Sequence, residues 1–525
     1  MRLQQFSAIE FRRPSTLIAA YCSGEPTLRE LYRTPPVAKE MAREAKGRVM
    51  ASEVSAALHE VLSEQYQGLT LHEAVAENLQ AFAAGNAVTV TTGHQLCILG
   101  GPAFVMYKIL STIRLAKSIQ PWVADKKVVP VFWLAGEDHD RDEINHVFFR
   151  SRRFEWNTQQ TGAVGRFSTD GLSDVLQQVS ELATDESSRK YVELFEKILA
   201  QHRTLSAATR AWVNDCFGEW GVVVLDADDA RLKRFFIPAM RRELLQQTTY
   251  SAVTETNTRL KQLGYEPQVN PRQLNLFYLR NEARVRIETT DDKWHTIDQS
   301  MQWSQESIMA ELQEHPEHFS PNVLMRPLFQ ETILPNIAYV GGPGELAYWM
   351  QLKGVFAQFE TPMPALVLRD AAVVVSEPCL RRLSKLGLTS ADLLRPKAEL
   401  IEQLLGDAKL DFSEEINQLQ TLYEQLAERM SNIDSTLKAT AMAELQRVLS
   451  GIEQLQAKTW KAIKTKEEQK LTALNKVWEE VFPEGEWQER RDNLLGTAIA
   501  NDKELLRALL ANFQSPNSTL LIAEV

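Results

Sequence analysis

Cysteine is scarce. Cys22, Cys97, Cys216 and Cys379 are the only four in 525 residues, and none stands in a CxxC pair. That argues against thiolate zinc sites and thioredoxin-like exchange, and suits a reducing compartment. No apolar run approaches the roughly 20 residues needed to span a bilayer. The opening stretch, MRLQQFSAIEFRRPS, lacks the apolar core of a secretory signal. A soluble cytoplasmic protein with no membrane partner is therefore expected. A basic excess is missing too: 58 Lys and Arg face 69 Asp and Glu, a net charge of −11. Nucleic-acid binders carry a basic patch or stripe, so no nucleic-acid partner is expected. Small anionic ligands remain open, because they need only a few local donors. No short-period repeat marks a solenoid.

What is present is ordinary globular material, 44% apolar and 24% charged. At roughly 150 residues per domain the length predicts three to four domain-sized units. Residues 1–80 read as mostly helical, with Ala, Glu and Leu abundant from Val37 to Gln67. The β-branched run 86–92 then reads as a buried strand. A glycine loop follows, then a helical pattern from Ala103 to Ile119, then a second apolar run, 128–134. Strand, loop, helix and strand make a βαβ unit, hence an α/β protein with a parallel sheet. Further strands are expected at 221–225, near 337–340 and at 365–368, with an antiparallel meander over 274–298. From Phe412 the apolar positions Ile416, Leu419, Tyr423, Leu426, Met430, Ile433 and Leu437 alternate spacings of four and three. That is a coiled-coil seam. The expected organisation is a catalytic core over 1–380 with insertions near 150–215 and 265–335. An antiparallel helical hairpin follows over 381–482, turning at Ser431-Asn432 or Ser450-Gly451. A segment 483–525 returns to the core. An apolar seam on each helix leaves surface for a second copy, so a homodimer is expected.

Three motifs carry chemistry. The first, Thr91-Thr-Gly93-His94-Gln95 with Gly100-Gly101-Pro102 and Tyr107-Lys108, sits at a strand's carboxyl end, where open α/β sheets bind ligands. Its glycines would let backbone approach a phosphate, and Lys108 would add positive charge. A tight turn before a core helix is the plainer alternative. The second is the cluster Glu137, Asp138, His139, Asp140, Glu143 and His146. Such a density of ionisable groups after a buried strand must face a cleft or partner, because burial of charge is costly. If a helix began near Asp140, Glu143 and His146 would lie one turn apart on one face near His139. Proton transfer and metal ligation are both open, and helix capping by Asp138 or Asp140 is the alternative. The third is a glycine turn, Gly341-Gly342-Pro343-Gly344, with Glu345 at the start of the next helix. Asp226, Asp228 and Asp229 read as caps, Arg369 as a partner for an anionic substrate or an acidic neighbour, and Cys97 as a small filler.

Taken together, TTGHQLCILGGPAFVMYK at 91–108, PVFWLAGEDHDRDEINH at 130–146 and YVGGPGELAYWMQLKGVF at 339–356 resemble the bacillithiol biosynthesis cysteine-adding enzymes. The resemblance covers most of the chain. It implies a Rossmann-like core related to class I aminoacyl-tRNA synthetases, with insertions and a coiled-coil domain. The synthetase HxGH signature is replaced here by TGHQ and GGP. It further implies a ligase that joins cysteine to glucosaminyl-malate by an amide bond, with ATP as co-substrate. On that reading His139, Glu137, Asp138 and His146 are catalytic. Gly93, His94, Gln95, Gly100, Gly101, Lys108, Gly341, Gly342 and Gly344 hold the nucleotide. Tyr107, Asp140, Glu345 and Arg369 hold substrate, and no resident metal is called for. A metal-dependent hydrolase built on Glu137 to His146, and a coiled-coil scaffold with a degenerate nucleotide site, are the competing readings.

Overall fold

A computed structural model describes residues 1–12, 14–280, 282–291, 293–406 and 412–525. Residues 407–411, inside the helical stretch expected over 381–482, and Asn281, inside the expected meander, lie outside the described residues. The chain divides into two compact units. The larger comprises Gln4–Val373 and Glu486–Leu521; the smaller comprises Val374–Gly485 with Met1–Leu3 and Ile522–Val525.

The larger unit is built on five strands: β1 (Ala87–His94), β2 (Lys127–Leu134), β3 (Val223–Asp226), β4 (Asn336–Gly341) and β5 (Ala365–Leu368). Their spatial order is β5-β4-β1-β2-β3, and every pairing is parallel. The expected strands at 86–92, 128–134 and 221–225 lie side by side as β1, β2 and β3. Their carboxyl ends are level, with His94 opposite Leu134 and Leu134 opposite Asp226. Parallel strands are covered on both faces, which is why β2, β3 and β5 are largely apolar without alternation, whereas β1 sets buried threonines among its valines. One face packs Val88, Val90, Val128, Ile337, Val340 and Val367 on helix α1 (Ala103–Ile119) through Leu115, Ala116 and Ile119. Each such side chain contributes about 1.5–3 kcal/mol by leaving water. The threonines inside β1 are satisfied internally: Thr89 and Thr91 donate to Asn336 Oδ1 at 3.1 and 2.9 Å, and Thr92 to the Val340 carbonyl at 2.7 Å.

From β1 the chain builds β2 and β3 on one side of the sheet, and later β4 and β5 on the other. The winding therefore reverses between β1 and β4. Helix α2 (Pro343–Met350) starts directly after β4. A separate antiparallel sheet orders strands 302–303, 293–296, 283–290, 276–280 and 319–321, matching the expected meander.

In the smaller unit, helices Ser413–Ser431 and Leu437–Lys466 pack side by side. The break follows Ser431, the first of the two expected turns. Ser450-Gly451 lies inside the 30-residue helix instead. One glycine costs a helix only about 1 kcal/mol relative to alanine, too little to end it.

Candidate active site

Ligands of open parallel sheets bind beyond the carboxyl ends of the strands where the winding reverses. Here that edge opens into two adjoining chambers. The first, of about 360 Å³, is lined by His94, Phe104, Gly342, Glu345, Arg326 and Arg369 among others. β1 runs two residues further than the sequence suggests, so Gly93 and His94 end the strand rather than begin a loop. The His94 ring stands edge-on to Phe104 at 4.8 Å. Burial, reinforced by the Lys108 charge, pushes its pKa down to about 3. At neutral pH His94 is an uncharged imidazole that can give or take one hydrogen bond.

Lys108 is not a free cation for phosphate. It is fully buried, and its Nζ donates to both Glu345 oxygens at 2.8 and 2.9 Å and to the Gly93 carbonyl. Glu345 also accepts from Gly342 N–H at 2.9 Å and the Tyr339 hydroxyl at 2.7 Å. Burial opposes its ionised form, yet Lys108 and these donors outweigh burial and hold the carboxyl at about 2. Glu345 therefore ties β4, α2 and α1 together while still lining the first chamber. Arg369 lines the chamber but is tied to Glu489 through two bonds, of 2.8 and 2.7 Å, and Glu489 also takes Arg12. One buried carboxylate between two arginines leaves the wall with surplus positive charge.

The second chamber, of about 480 Å³, is lined by Gly136, Glu137, Asp138, Phe277, Arg284 and Arg326 among others. Glu137 is paired with Lys233 Nζ at 2.9 Å and accepts from Ser320 Oγ at 2.6 Å. Burial raises its pKa against the pull of Lys233, and the nearby Asp228 adds to the rise. Asp138 accepts from Gln95 Nε2 at 2.8 Å and from the His139 backbone N–H at 2.7 Å. Gln95 thereby joins the first motif to the second. His139 lines neither chamber; it is half-exposed, with its ring 5.5 Å from that of Phe277, which lines the second. Its Nδ1 lies 3.1 Å from Arg284 Nη1 and 3.4 Å from Asp138 Oδ1. A guanidinium only donates, so Nδ1 accepts from Arg284 where it carries no proton and donates to Asp138 where it carries one.

Other candidates are not brought together. The helix after Asp140 is a single turn, Arg141–Ile144, capped by Asp140 itself at 3.3 Å. Asp140 is thus a cap rather than a substrate contact. The apolar and aromatic run from His146 to Phe149 forms a strand, as such residues favour. His146 therefore faces a side cavity shared with His94, Cys97 and Glu143 rather than His139. The ligand set imagined for a metal hydrolase does not converge. Tyr107 is fully buried against Phe513 and lines neither chamber. Gly100 and Gly101 also face away from both chambers. Asn493 Nδ2 donates to the Leu99 and Gly101 carbonyls at 2.9 and 2.8 Å, clamping this turn onto the late segment of the chain. Gly342 and Gly344 line the first chamber at the start of α2, although the Gly342 N–H is already used by Glu345, whereas Gly341 ends β4 and lines neither chamber.

Sequence reasoning missed Arg326, Arg284 and Lys233. Arg326 lines both chambers. Its contacts are neutral: Gln330 Oε1 at 3.1 Å, the Tyr348 hydroxyl at 3.5 Å, and the faces of Trp133 and Tyr339 at about 6 Å. Among the described residues no carboxylate lies within ion-pair distance of it. No pattern around Arg326 announces this. Arg284 had a signal: the alternation Arg284-Val-Arg286 on a strand puts both guanidiniums on one face, where they cover Phe277 at 4.0 and 5.7 Å.

Comparison with known proteins agrees with this architecture. Residues 3–370 match the family model described as "Bacillithiol biosynthesis BshC, N-terminal Rossmann-like domain". Residues 372–525 match "Bacillithiol biosynthesis BshC, C-terminal coiled-coil domain". The chain is 35% identical to a protein of Flavobacterium johnsoniae, over 94% of both chains, and 34% identical to one of Christiangramia forsetii, over 96% of both. A Bacillus cytotoxicus protein is 27% identical over 82% of this chain and 84% of its own. All three carry the name "Putative cysteine ligase BshC". With both of its parts matched and these relatives aligned almost end to end, the chain belongs to the BshC family of bacillithiol biosynthesis.

Proposed function

We propose that this chain is a ligase that joins cysteine to glucosaminyl-malate through an amide bond, the last step of bacillithiol biosynthesis, with ATP activating the carboxylate. The name shared by its relatives supports the reaction class. The observation that carries the reading is Arg326, which lines both chambers and, among the described residues, has no carboxylate within ion-pair distance. Two chambers suit two substrates, and a cation that lines both suits an anionic reaction centre.

A carboxylate does not react with an amine directly, because its oxygen leaves poorly. Attack of that oxygen on ATP gives an acyl adenylate or acyl phosphate and releases pyrophosphate or ADP. The glucosamine nitrogen then attacks the carbonyl carbon, the C–N bond forms, and AMP or phosphate departs. Arg326 stabilises negative charge on the phosphoryl oxygens, and uncharged His94 offers a hydrogen bond beside it. His139, in the tautomer whose Nδ1–H donates to Asp138, accepts at Nε2 the proton lost by nitrogen. Residues 1–380 carry this chemistry in a reducing cytoplasm, which suits the four free thiols. Residues 381–482 serve assembly into a homodimer.

Two measurements test the proposal. A strain lacking the gene should lose the cysteine-containing thiol and accumulate glucosaminyl-malate; unchanged thiol levels overturn the reading. Purified protein given cysteine, glucosaminyl-malate and ATP should form the thiol. Arg326→Ala should lower kcat by about 10²–10³-fold, the usual loss for one preorganised donor at developing charge.

A further inference from the structure

Away from the chambers, a turn joins helix Gln305–Glu314 to the edge strand Phe319–Pro321 and reads His315-Pro316-Glu317-His318. Ligand atoms of His315, Glu317 and His318 all lie within 4.8 Å of one another. His315 Nδ1 stands 3.2 Å from Glu317 Oε1. Two ligands at roughly 2.0–2.2 Å around a tetrahedral zinc ion stand roughly 3.3–3.5 Å apart, so this pair is already near ligand–ligand spacing. The two imidazoles stack at 4.9 Å with an interplanar angle of 23°. Pro316 fixes its own φ and so restricts the turn that presents them.

A second arrangement stands behind the first. Glu311 Oε1 lies 2.7 Å from His318 Nδ1 and accepts from the Tyr278 hydroxyl at 2.7 Å. A carboxylate on one ring nitrogen fixes the tautomer and leaves the other nitrogen for a metal, the usual support for a ligating histidine. None of these five side chains lines either chamber, so the chemistry proposed above does not account for them.

We propose that His315, Glu317 and His318 form a binding site for a divalent transition metal of the zinc type, oriented by Glu311 and Tyr278, which braces the edge strand beside the second chamber. Imidazole and carboxylate are the ligand types that suit such ions. His315 is about half-exposed, so the ion enters from solvent and water completes its coordination. The bracing follows from position. Ser320 of the edge strand donates to Glu137, and Pro321 lines the chamber. The Glu317 carbonyl accepts at 3.1 Å from Lys233 Nζ, the same ammonium that pairs with Glu137. An ion at this turn would hold in place both groups that hold Glu137.

The test uses the full chain, stripped with chelator and titrated with Co²⁺ as a spectroscopic probe and Zn²⁺ by calorimetry. One equivalent should bind, with the d–d absorption of a four-coordinate site and a rise in thermal midpoint on zinc addition. His315→Ala, at an exposed position, and His318→Ala should each abolish the absorption and the midpoint rise. Glu311→Gln should weaken zinc binding about 10–100-fold. His59→Ala, on a distant helix, should bind as the parent does. Absence of saturable binding by the parent, or d–d absorption that persists in His315→Ala, overturns the proposal.

Discussion

At the scale of single residues, the pair Lys108–Glu345 decides most. It is a buried ion pair at the mouth of the sheet, and its members come from α1 and α2. Removing one partner of such a pair leaves an uncompensated buried charge, at a cost of about 3–5 kcal/mol. Glu345→Leu should therefore destabilise strongly in urea unfolding. The double change Glu345→Leu with Lys108→Met should recover much of the loss. The pH dependence has a definite sign. The Glu345 carboxyl is held at about 2 against 4.5 in the unfolded chain, so its contribution is complete above pH 4.5 and fades as pH falls towards 2. The parent should lose stability in that window, and Glu345→Gln should show a flatter profile there. His139 gives a different test. On the proposed role as proton acceptor it should not be replaceable: His139→Ala and His139→Asn should both lose thiol production while circular dichroism stays unchanged. Recovery by Asn would mean that only a hydrogen bond was needed. The GEDHD cluster was legible from its charge density after a buried strand. Its pairing was not, because Arg284, Lys233 and Ser320 arrive from sequence positions far away and only the fold brings them near.

At the scale of elements, strands were easier to read than the turns between them. β1, β2 and β4 stand out as short runs rich in β-branched and apolar residues, buried on both faces. The turn after β1 did not reveal its purpose. Gly100 and Gly101 look like a phosphate loop, yet Gly101 has φ +62° and ψ −162°, a region essentially reserved for glycine. A Cβ there would stand 2.5 Å from Cys97 Cβ. These glycines serve a tight fold-back under Asn493. Gly101→Ala should destabilise by at least the 1–3 kcal/mol typical of such backbone strain, measured by urea unfolding. A loss well below 1 kcal/mol would show that the turn relaxes freely. The one-turn helix after Asp140 misled for a related reason: Asp140 is a good cap, but the residues that follow it favour a strand.

At the scale of the whole molecule, the heptad-like spacing correctly signalled long paired helices, and it also left apolar surface over. Leu422, Leu426, Ile433 and Leu455 are 50, 37, 84 and 57% exposed in the pair. A second copy would cover them, and light scattering at micromolar concentration should report a dimer; a monomer would remove that expectation. The buried triad of Arg12, Arg369 and Glu489 has a consequence in time. During synthesis the two arginines emerge first and wait for the carboxylate they share until residue 489 has been made. At about 5–20 residues per second that delay, counted from Arg369, is on the order of ten seconds. Through it the larger unit holds two like charges that cannot be buried cheaply, and the first chamber lacks its finished wall. Arg369, in the wall of the first chamber, therefore gains its buried carboxylate only after residues 374–485 have been made.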